Sequence, residues 1–118
     1  MLLEYKDLIR NNNICIASVI EGGYPTIAVV RAVGVISDHE LLITHCEMVK
    51  TIKNIMQNNR VCITCFDQNW EGVRIYGTAE YFPGVNEWSE KSREFMSDKS
   101  TPVKGAILIT AEKVENQS

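Results

Sequence analysis

The sequence predicts a mainly β protein with flanking helices, in which six antiparallel strands curl into a barrel. Three observations support this fold class. Runs of β-branched and aromatic residues give the order helix, three strands, helix, two strands, helix, strand. Turns of two to five residues separate neighbouring strands, and short turns favour antiparallel pairing. Six strands in 118 residues would leave long exposed edges in a flat sheet, so we expect closure.

The first half of the chain is predicted to hold one helix and three strands. Apolar residues at helical spacing indicate an amphipathic helix over residues 2–10. A strand follows at 14–20, and the Gly-Gly-Tyr-Pro sequence then turns the chain. The next predicted strand, 26–37, is long and mostly apolar but is interrupted by Arg31. A Ser-Asp-His-Glu turn leads into a third strand at 41–44.

The second half alternates helices and strands. Val49, Ile52, Ile55 and Met56 recur at helical spacing and predict a helix over about 47–57. Strands follow at 61–67 and at 73–82, and the second of these alternates like a half-exposed strand.

Pro83-Gly84 then precedes a helix at 85–97, whose apolar face includes Trp88. A last strand at 105–114 completes a single predicted domain spanning residues 1–118. No internal repeat or linker divides it.

Composition and charge exclude several classes of function. The net charge is −3 and there is no dense cluster of Lys and Arg, so we expect no binding to nucleic acid. No apolar stretch approaches the roughly 20 residues that span a bilayer. The N-terminal residues lack the charged-then-apolar order of a signal peptide, and we therefore expect a cytoplasmic protein.

The four cysteines do not predict a metal or redox centre. Cys62 and Cys65 form a C-x-x-C pair, but the residues around them are typical of a strand, on which positions three apart face opposite sides. We expect buried free thiols instead. Cys46 differs because it lies near a predicted helix start, which lowers a thiol pKa. With only His45 near this helix start and no acidic cluster at ligand spacing, no metal site is expected.

Lys50 and Thr51 fall in the first turn of the predicted second helix. Free backbone N–H groups and the positive end of the helix dipole are found there, and acidic residues are the usual occupants. One explanation is a bound anion such as phosphate, with charge supplied by Lys50 and a hydroxyl by Thr51. The alternative is a solvated lysine beside a threonine that is merely tolerated.

Taken together, four segments resemble the FMN-binding split β-barrel superfamily, which includes pyridoxamine 5′-phosphate oxidase and small flavin-binding electron carriers of anaerobic bacteria. These segments are residues 16–33, 41–65, 72–82 and 104–114. The resemblance covers most of the chain. It implies a split β-barrel that binds FMN at a homodimer interface.

The resemblance also implies roles for residues around the second helix. The lysine at the position of Lys50 contacts the FMN phosphate in relatives, and Thr51 would assist it. Residues at the positions of Thr44 and His45 border the phosphate or the ribityl chain. Lys50 alone cannot hold FMN, because a charge at a helix end is worth about 0.3–2 kcal/mol and micromolar binding needs about 8 kcal/mol.

The remaining affinity would come from burial of the flavin ring along the second strand. In relatives the positions of Val29, Val30 and Arg31 lie along that ring. Arg31 would reach the phosphate or the pyrimidine edge of the flavin, or else point to solvent from the outer face of the barrel. Trp70 would cover a flavin of the other subunit, or else pack under its own loop.

The sequence departs from the oxidase at two points. Met48 and Val49 replace a serine and an arginine, and the substrate-binding C-terminal segment of the oxidase is not matched. We therefore expect an FMN-dependent oxidoreductase or electron carrier rather than an enzyme of vitamin B6 oxidation, with donor and acceptor unassigned. The alternative is a split-barrel binding or interaction protein without flavin.

Overall fold

The computed structural model describes residues 1–20 and 22–117, which form seven β-strands and three α-helices. The strands are β1 (Ile14–Ser18), β2 (Thr26–Val30), β3 (Val33–Val35), β4 (Glu40–His45), β5 (Arg60–Phe66), β6 (Gly72–Pro83) and β7 (Gly105–Gln117). The helices are α1 (Lys6–Asn11), α2 (Lys50–Gln57) and α3 (Glu87–Ser92), with 3-10 turns at Leu3–Tyr5 and Arg93–Phe95. All strands belong to one antiparallel sheet in the order β2-β1-β5-β6-β7-β4-β3.

The prediction of six strands was wrong by one, because the single strand expected at 26–37 is two strands. β2 pairs with β1, whereas β3 pairs with β4, so the two lie at opposite edges of the sheet. Only Arg31 and Ala32 connect them. Hydrophobic pattern could not reveal the break, because both halves are apolar. β2 pairs back with the strand before it, whereas β3 pairs forward with the strand after it.

This two-residue link forces the sheet to curl. In a flat sheet, six spacings of about 4.8 Å would separate the edges by roughly 29 Å. Three residue steps from Val30 to Val33 span at most about 11 Å. The sheet must therefore bend until its edges meet at this corner, which is the form of a split barrel and agrees with the predicted closure.

Alternating side chains on these strands build one hydrophobic core. Inward positions of β1 and β5, such as Ile16 and Ile63, are fully buried, as the period of two requires. β4 is buried on both faces because α3 and the core cover it from opposite sides. The largest fully buried side chains are Leu2, Ile9, Ile14, Ile16, Leu41, Leu42, Ile43, Ile63, Ile75, Ile107, Ile109 and Val33.

The helices form where predicted but are shorter. α2 begins at Lys50 rather than near residue 47. α3 begins after Asn86, whose side chain accepts the N–H groups of Trp88 and Ser89 in a capping box. Val85, where the predicted helix began, therefore precedes the helix and is exposed. Among the described residues, no helix is long and apolar enough to cross a bilayer.

Candidate functional site

A cavity of about 580 Å³ opens beside the corner where β2 passes into β3. One side is formed by β2 and the corner, another by the end of β4 and the approach to α2, and the third by the segment after α3. The lining residues are Val29, Val30, Arg31, Ala32, Thr44, Cys46, Glu47, Met48, Met96, Ser97, Asp98 and Thr101. The space is within the range of small-molecule sites.

Four of the predicted site residues meet in this cavity: Val29, Val30, Arg31 and Thr44. They come from β2, the corner and β4, which the curl of the sheet brings together. The Thr44 hydroxyl donates to the carbonyl of Ser92 at 3.0 Å, so it also fastens the end of α3 to β4.

Arg31 lies at the corner and not within a strand. Its side chain is exposed, and no residue that the structure describes offers it an ion pair or a hydrogen bond. A buried, unpaired guanidinium would have been costly, and this position avoids that cost. Arg31 is thus an uncompensated positive charge at the rim of the cavity.

Two carboxylates share the cavity wall with Arg31, and no local pattern in the sequence marks either of them. Glu47 precedes α2, and Asp98 belongs to the segment after α3. Hydrogen bonds from the hydroxyl and the N–H of Ser100 lower the pKa of Asp98, which is therefore ionised at neutral pH. The cavity consequently has a cationic rim and an acidic wall. Asp98 lines the cavity together with Thr44 of β4, although the two residues are far apart in the sequence.

The start of α2 has no cap of its own. Val49 is its N-cap residue, makes no side-chain capping hydrogen bond, and no acidic residue occupies the first turn. The Lys50 side chain is exposed and has no ion-pair or hydrogen-bond partner within residues 1–20 and 22–117. Thr51 instead faces inward and is only 2 % exposed. Lys50 and Thr51 do not line the cavity, although Met48 just before them does.

His45 is buried behind the cavity wall. Its Nδ1 lies 2.7 Å from the Tyr81 hydroxyl, and its Nε2 lies 2.6 Å from the Met48 carbonyl oxygen. Burial lowers the pKa of the imidazole, the Met48 hydrogen bond raises it, and the nearby Lys104 charge lowers it further. The net shift is downward from 6.5, so the ring is neutral at neutral pH.

Trp70 lies in the hairpin between β5 and β6, outside the cavity. Its φ of 64° is unusual for a residue other than glycine, its side chain is 73 % exposed, and its ring stacks on Phe66 at 5.2 Å. The hairpin lies at the end of the sheet where β2 also ends, because Ile14 pairs with both Val30 and Cys65. Trp70 is thus presented to the exterior rather than packed under its loop.

The cysteines are all free. Cys62 is half-buried and Cys65 is buried in the core, so the predicted divergence of the pair is confirmed. Only Cys65 is fully buried, and its burial raises its pKa to about 11. The idea of a lowered pKa for Cys46 was wrong, because burial and then the Glu47 charge raise it. No cluster of three metal-ligating His, Cys, Asp or Glu side chains occurs among the described residues.

The outer face of the sheet carries a strip of small and apolar side chains, which we call the outer strip. It comprises Ile27 and Val29 of β2, Cys15 and Ala17 of β1, and Cys62 of β5. Ile27 is 71 % exposed and Val29 is 61 % exposed. The strip is continuous with the cavity, since Val29 belongs to both.

The chain is similar to known proteins in both sequence and structure. A family model described as pyridoxamine 5′-phosphate oxidase matches residues 1–118. An uncharacterised protein of Methanocaldococcus jannaschii is 29 % identical over 112 residues, which cover 92 % of this chain and 74 % of that protein. The crystal structure of HupZ from Group A Streptococcus has a TM-score of 0.83 and 28 % identity, and the match covers 100 % of this chain and 95 % of that chain. The crystal structure of an FMN-binding protein from Syntrophomonas wolfei subsp. wolfei has a TM-score of 0.86 and 18 % identity, with 99 % and 86 % covered.

Proposed function

Because the chain belongs to the pyridoxamine 5′-phosphate oxidase family, we propose that it is an FMN-binding flavoprotein of the oxidoreductase type. The observation that carries the proposal is the cavity at the β2–β3 corner, beside the uncapped start of α2. Val29 and Val30 offer an apolar wall with the unpaired Arg31 at its rim, and Lys50, just outside the cavity, is a second cation without a partner among the described residues. FMN has matching parts, because its flat ring is largely apolar and its phosphorylated chain is negatively charged.

The cavity fits FMN in size and in most of its chemistry. A volume of about 580 Å³ accommodates a mononucleotide. Val29 and Val30 supply the apolar surface expected against a flavin ring, and the same backbone offers hydrogen-bonding groups where β2 ends. The carboxylates of Glu47 and Asp98 repel phosphate, so the phosphate must lie away from them.

The start of α2 is the best remaining place for the phosphate. The Lys50 ammonium and the first N–H groups of the helix are available there, and the helix dipole favours an anion. Thr51 would contribute its backbone N–H, because its side chain is turned inward. Thr44 and His45 would support this region from β4, and Arg31 would lie closer to the ring.

Formation of a homodimer would explain why the apolar side chains of the outer strip are exposed in the single chain. Exposed apolar side chains on adjacent strands usually mark an interface. A second copy of the chain placed on the strip would cover Ile27 and Val29, and it would add a wall to the cavity that Val29 already lines. The exposed indole of Trp70 is available to contact a flavin held by the partner subunit.

The chain's own residues bind, orient and shield the cofactor. FMN supplies the electron and hydride chemistry when it is bound. The β2 residues orient the ring, the α2 start retains the phosphate, and the dimer contact excludes water. Arg31 places positive charge at the rim, which favours electron density on a nearby ring.

Two variants of this function differ in the partner. An electron carrier exchanges electrons with another protein, whereas a small reductase turns over a nitro compound, a quinone or a similar molecule. Steady-state assays with NADH or NADPH and a panel of acceptors separate them. A carrier ignores the panel, and a reductase consumes at least one acceptor.

The spectrum of the purified protein tests the proposal directly. We expect a flavin absorption band, or saturable quenching of FMN fluorescence by protein stripped of cofactor, together with a dimer in size-exclusion chromatography with light scattering. The competing function is a split-barrel binding protein without flavin, which the two carboxylates in the cavity favour. A colourless protein that gains neither a flavin band nor thermal stability with added FMN would establish that alternative.

A further inference from the structure

His45 makes two short side-chain contacts in opposite directions. Nε2 faces the carbonyl oxygen of Met48, and Nδ1 faces the hydroxyl of Tyr81. The backbone of His45 is also fixed, because its carbonyl accepts the N–H of Lys104 at 2.8 Å. The ring is buried at 6 % exposure, and both of its nitrogens are occupied by the protein itself.

The partners determine which nitrogen carries the proton. A carbonyl oxygen only accepts, so Nε2 must donate to Met48. In the neutral ring Nδ1 is then an acceptor. The single proton of the Tyr81 hydroxyl is donated to Nδ1 at 2.7 Å, because the competing Lys104 carbonyl oxygen is further away at 3.3 Å. Tyr81 is itself oriented by an edge-on contact with the imidazole, with ring centroids 5.2 Å apart.

Met48, whose carbonyl oxygen faces His45, is the residue immediately before Val49, the N-cap residue of α2. The start of α2 makes no side-chain capping bond, and its first backbone bond runs from the Lys53 N–H to the Val49 carbonyl. Further along, the buried Asn54 side chain ties α2 to Ser18 of β1. In the part of the chain that the structure describes, the His45 contact is therefore the side-chain hydrogen bond that holds the residues just before α2.

We propose that His45, oriented by Tyr81, is a positioning residue that fixes the start of α2 by donating from Nε2 to the Met48 carbonyl. It acts through the backbone and does not contact the ligand. The segment it fixes leads to Lys50 and to the free N–H groups of the first turn, which must be aligned to hold an anion. The assignment rests on the proposed function for the identity of that anion.

Two amide variants separate this role from general packing. The Gln side chain of His45→Gln reaches the position of Nε2 and keeps a donor for Met48, whereas His45→Asn reaches only the position of Nδ1. The first readout is hydrogen exchange of the Lys53 amide without FMN. Loss of one hydrogen bond should speed that exchange about threefold to tenfold in His45→Asn and leave it near wild type in His45→Gln. The Asn58 amide at the far end of α2 should be unchanged in both.

The second readout uses the unmodified protein. Nitrogen NMR of the His45 ring should show the neutral tautomer protonated at Nε2. Finding the proton on Nδ1, or equal Lys53 exchange in the two variants, overturns the proposal even if one variant is poorly stable.

FMN titration completes the test and keeps the two proposals apart. The affinity of His45→Asn should fall about threefold to tenfold, and that of His45→Gln should be close to wild type. Faster Lys53 exchange without any change in affinity overturns the positioning role. Absence of FMN binding by the wild-type protein overturns the proposed function, and the exchange and tautomer measurements still decide whether His45 fixes α2.

Discussion

Replacing Lys50 by alanine tests where the phosphate of FMN binds. The Lys50 ammonium is exposed at the start of α2 and has no partner among the described residues, so its removal breaks no ion pair or hydrogen bond with them. Any effect on FMN binding therefore reports the lost interaction with the ligand and not a rearranged protein. We expect weaker binding with an unchanged melting temperature.

The size of the effect follows from one charge-assisted hydrogen bond. Such bonds contribute about 1.5–3 kcal/mol, and the exposure of Lys50 places this one at the lower end. A loss of about 1.5 kcal/mol corresponds to a roughly tenfold higher Kd for FMN. The helix N–H groups and the β2 wall remain in place, so binding should persist.

Lys53→Ala is a matched control on the same helix. Lys53 is also exposed and unpaired in the described chain, but it lies one turn further on, about 4.5 Å along the helix axis. At roughly 8 Å from the phosphate, its attraction in water is about 0.5 kcal/mol before screening. Salt at about 0.15 M reduces that to about 0.2 kcal/mol, which is less than a twofold change in Kd.

Fluorescence quenching measures both variants. FMN is titrated with cofactor-free protein at low and at physiological ionic strength, and the Kd of each variant is compared with that of wild type. An unchanged Kd for Lys50→Ala would place the phosphate elsewhere, with Arg31 as the next candidate. Equal losses in the two variants would indicate diffuse charge attraction instead of a direct contact.

Three further predictions concern the fold, the dimer and pH. A Cβ at Gly34 would lie 2.1 Å from a ring carbon of Phe95, so Gly34→Ala should reduce the free energy of unfolding by about 1–3 kcal/mol in urea titrations. The added change Phe95→Leu should recover part of that loss, and no recovery would show that the ring is not the obstacle. Ile27→Lys should convert the proposed dimer to a monomer in light scattering, whereas Val85→Lys, similarly exposed but off the outer strip, should not. A dimer that survives Ile27→Lys would rule out the strip as the interface. The pKa of His45 is lowered from 6.5, so its neutral form contributes stability that is present above pH 6.5 and is lost as pH falls through the folded-state pKa. His45→Gln should flatten that loss in thermal melts, and an unchanged pH profile would assign it to other groups.

Local pattern in the sequence was sufficient for most elements of the fold. The two-residue periodicity of β1, β5 and β6 and the helical spacing around Ile52 were visible directly. Turn residues such as Gly22 and Gly84, both with positive φ, marked where the chain reverses. These features depend on neighbours a few residues apart, so they can be recognised without knowledge of the fold. Antiparallel pairing and a curled sheet followed from short turns and from the need to protect strand edges.

Only part of the candidate site could be predicted from local sequence pattern. Lys50 at a helix start and Arg31 in an apolar run stood out because each departs from what its position usually carries. Thr51 was expected to present a hydroxyl, but its direction depends on which face of α2 packs on the sheet. Glu47 and Asp98 gave no signal, since exposed carboxylates are common and nothing local places them beside β2.

The sequence by itself determined the strand-rich, antiparallel character of the protein, the position of α2 and the cation at its start, because each is specified by residues within one or two turns of chain. Only the tertiary structure decided that residues 26–37 divide at Arg31, that the two halves become opposite edges of one sheet, and that His45 is held between Tyr81 and Met48. These outcomes depend on strands from distant parts of the chain that meet when the sheet closes. The free energy of pairing such strands is distributed over many residues, so the pairing cannot be predicted from any single segment.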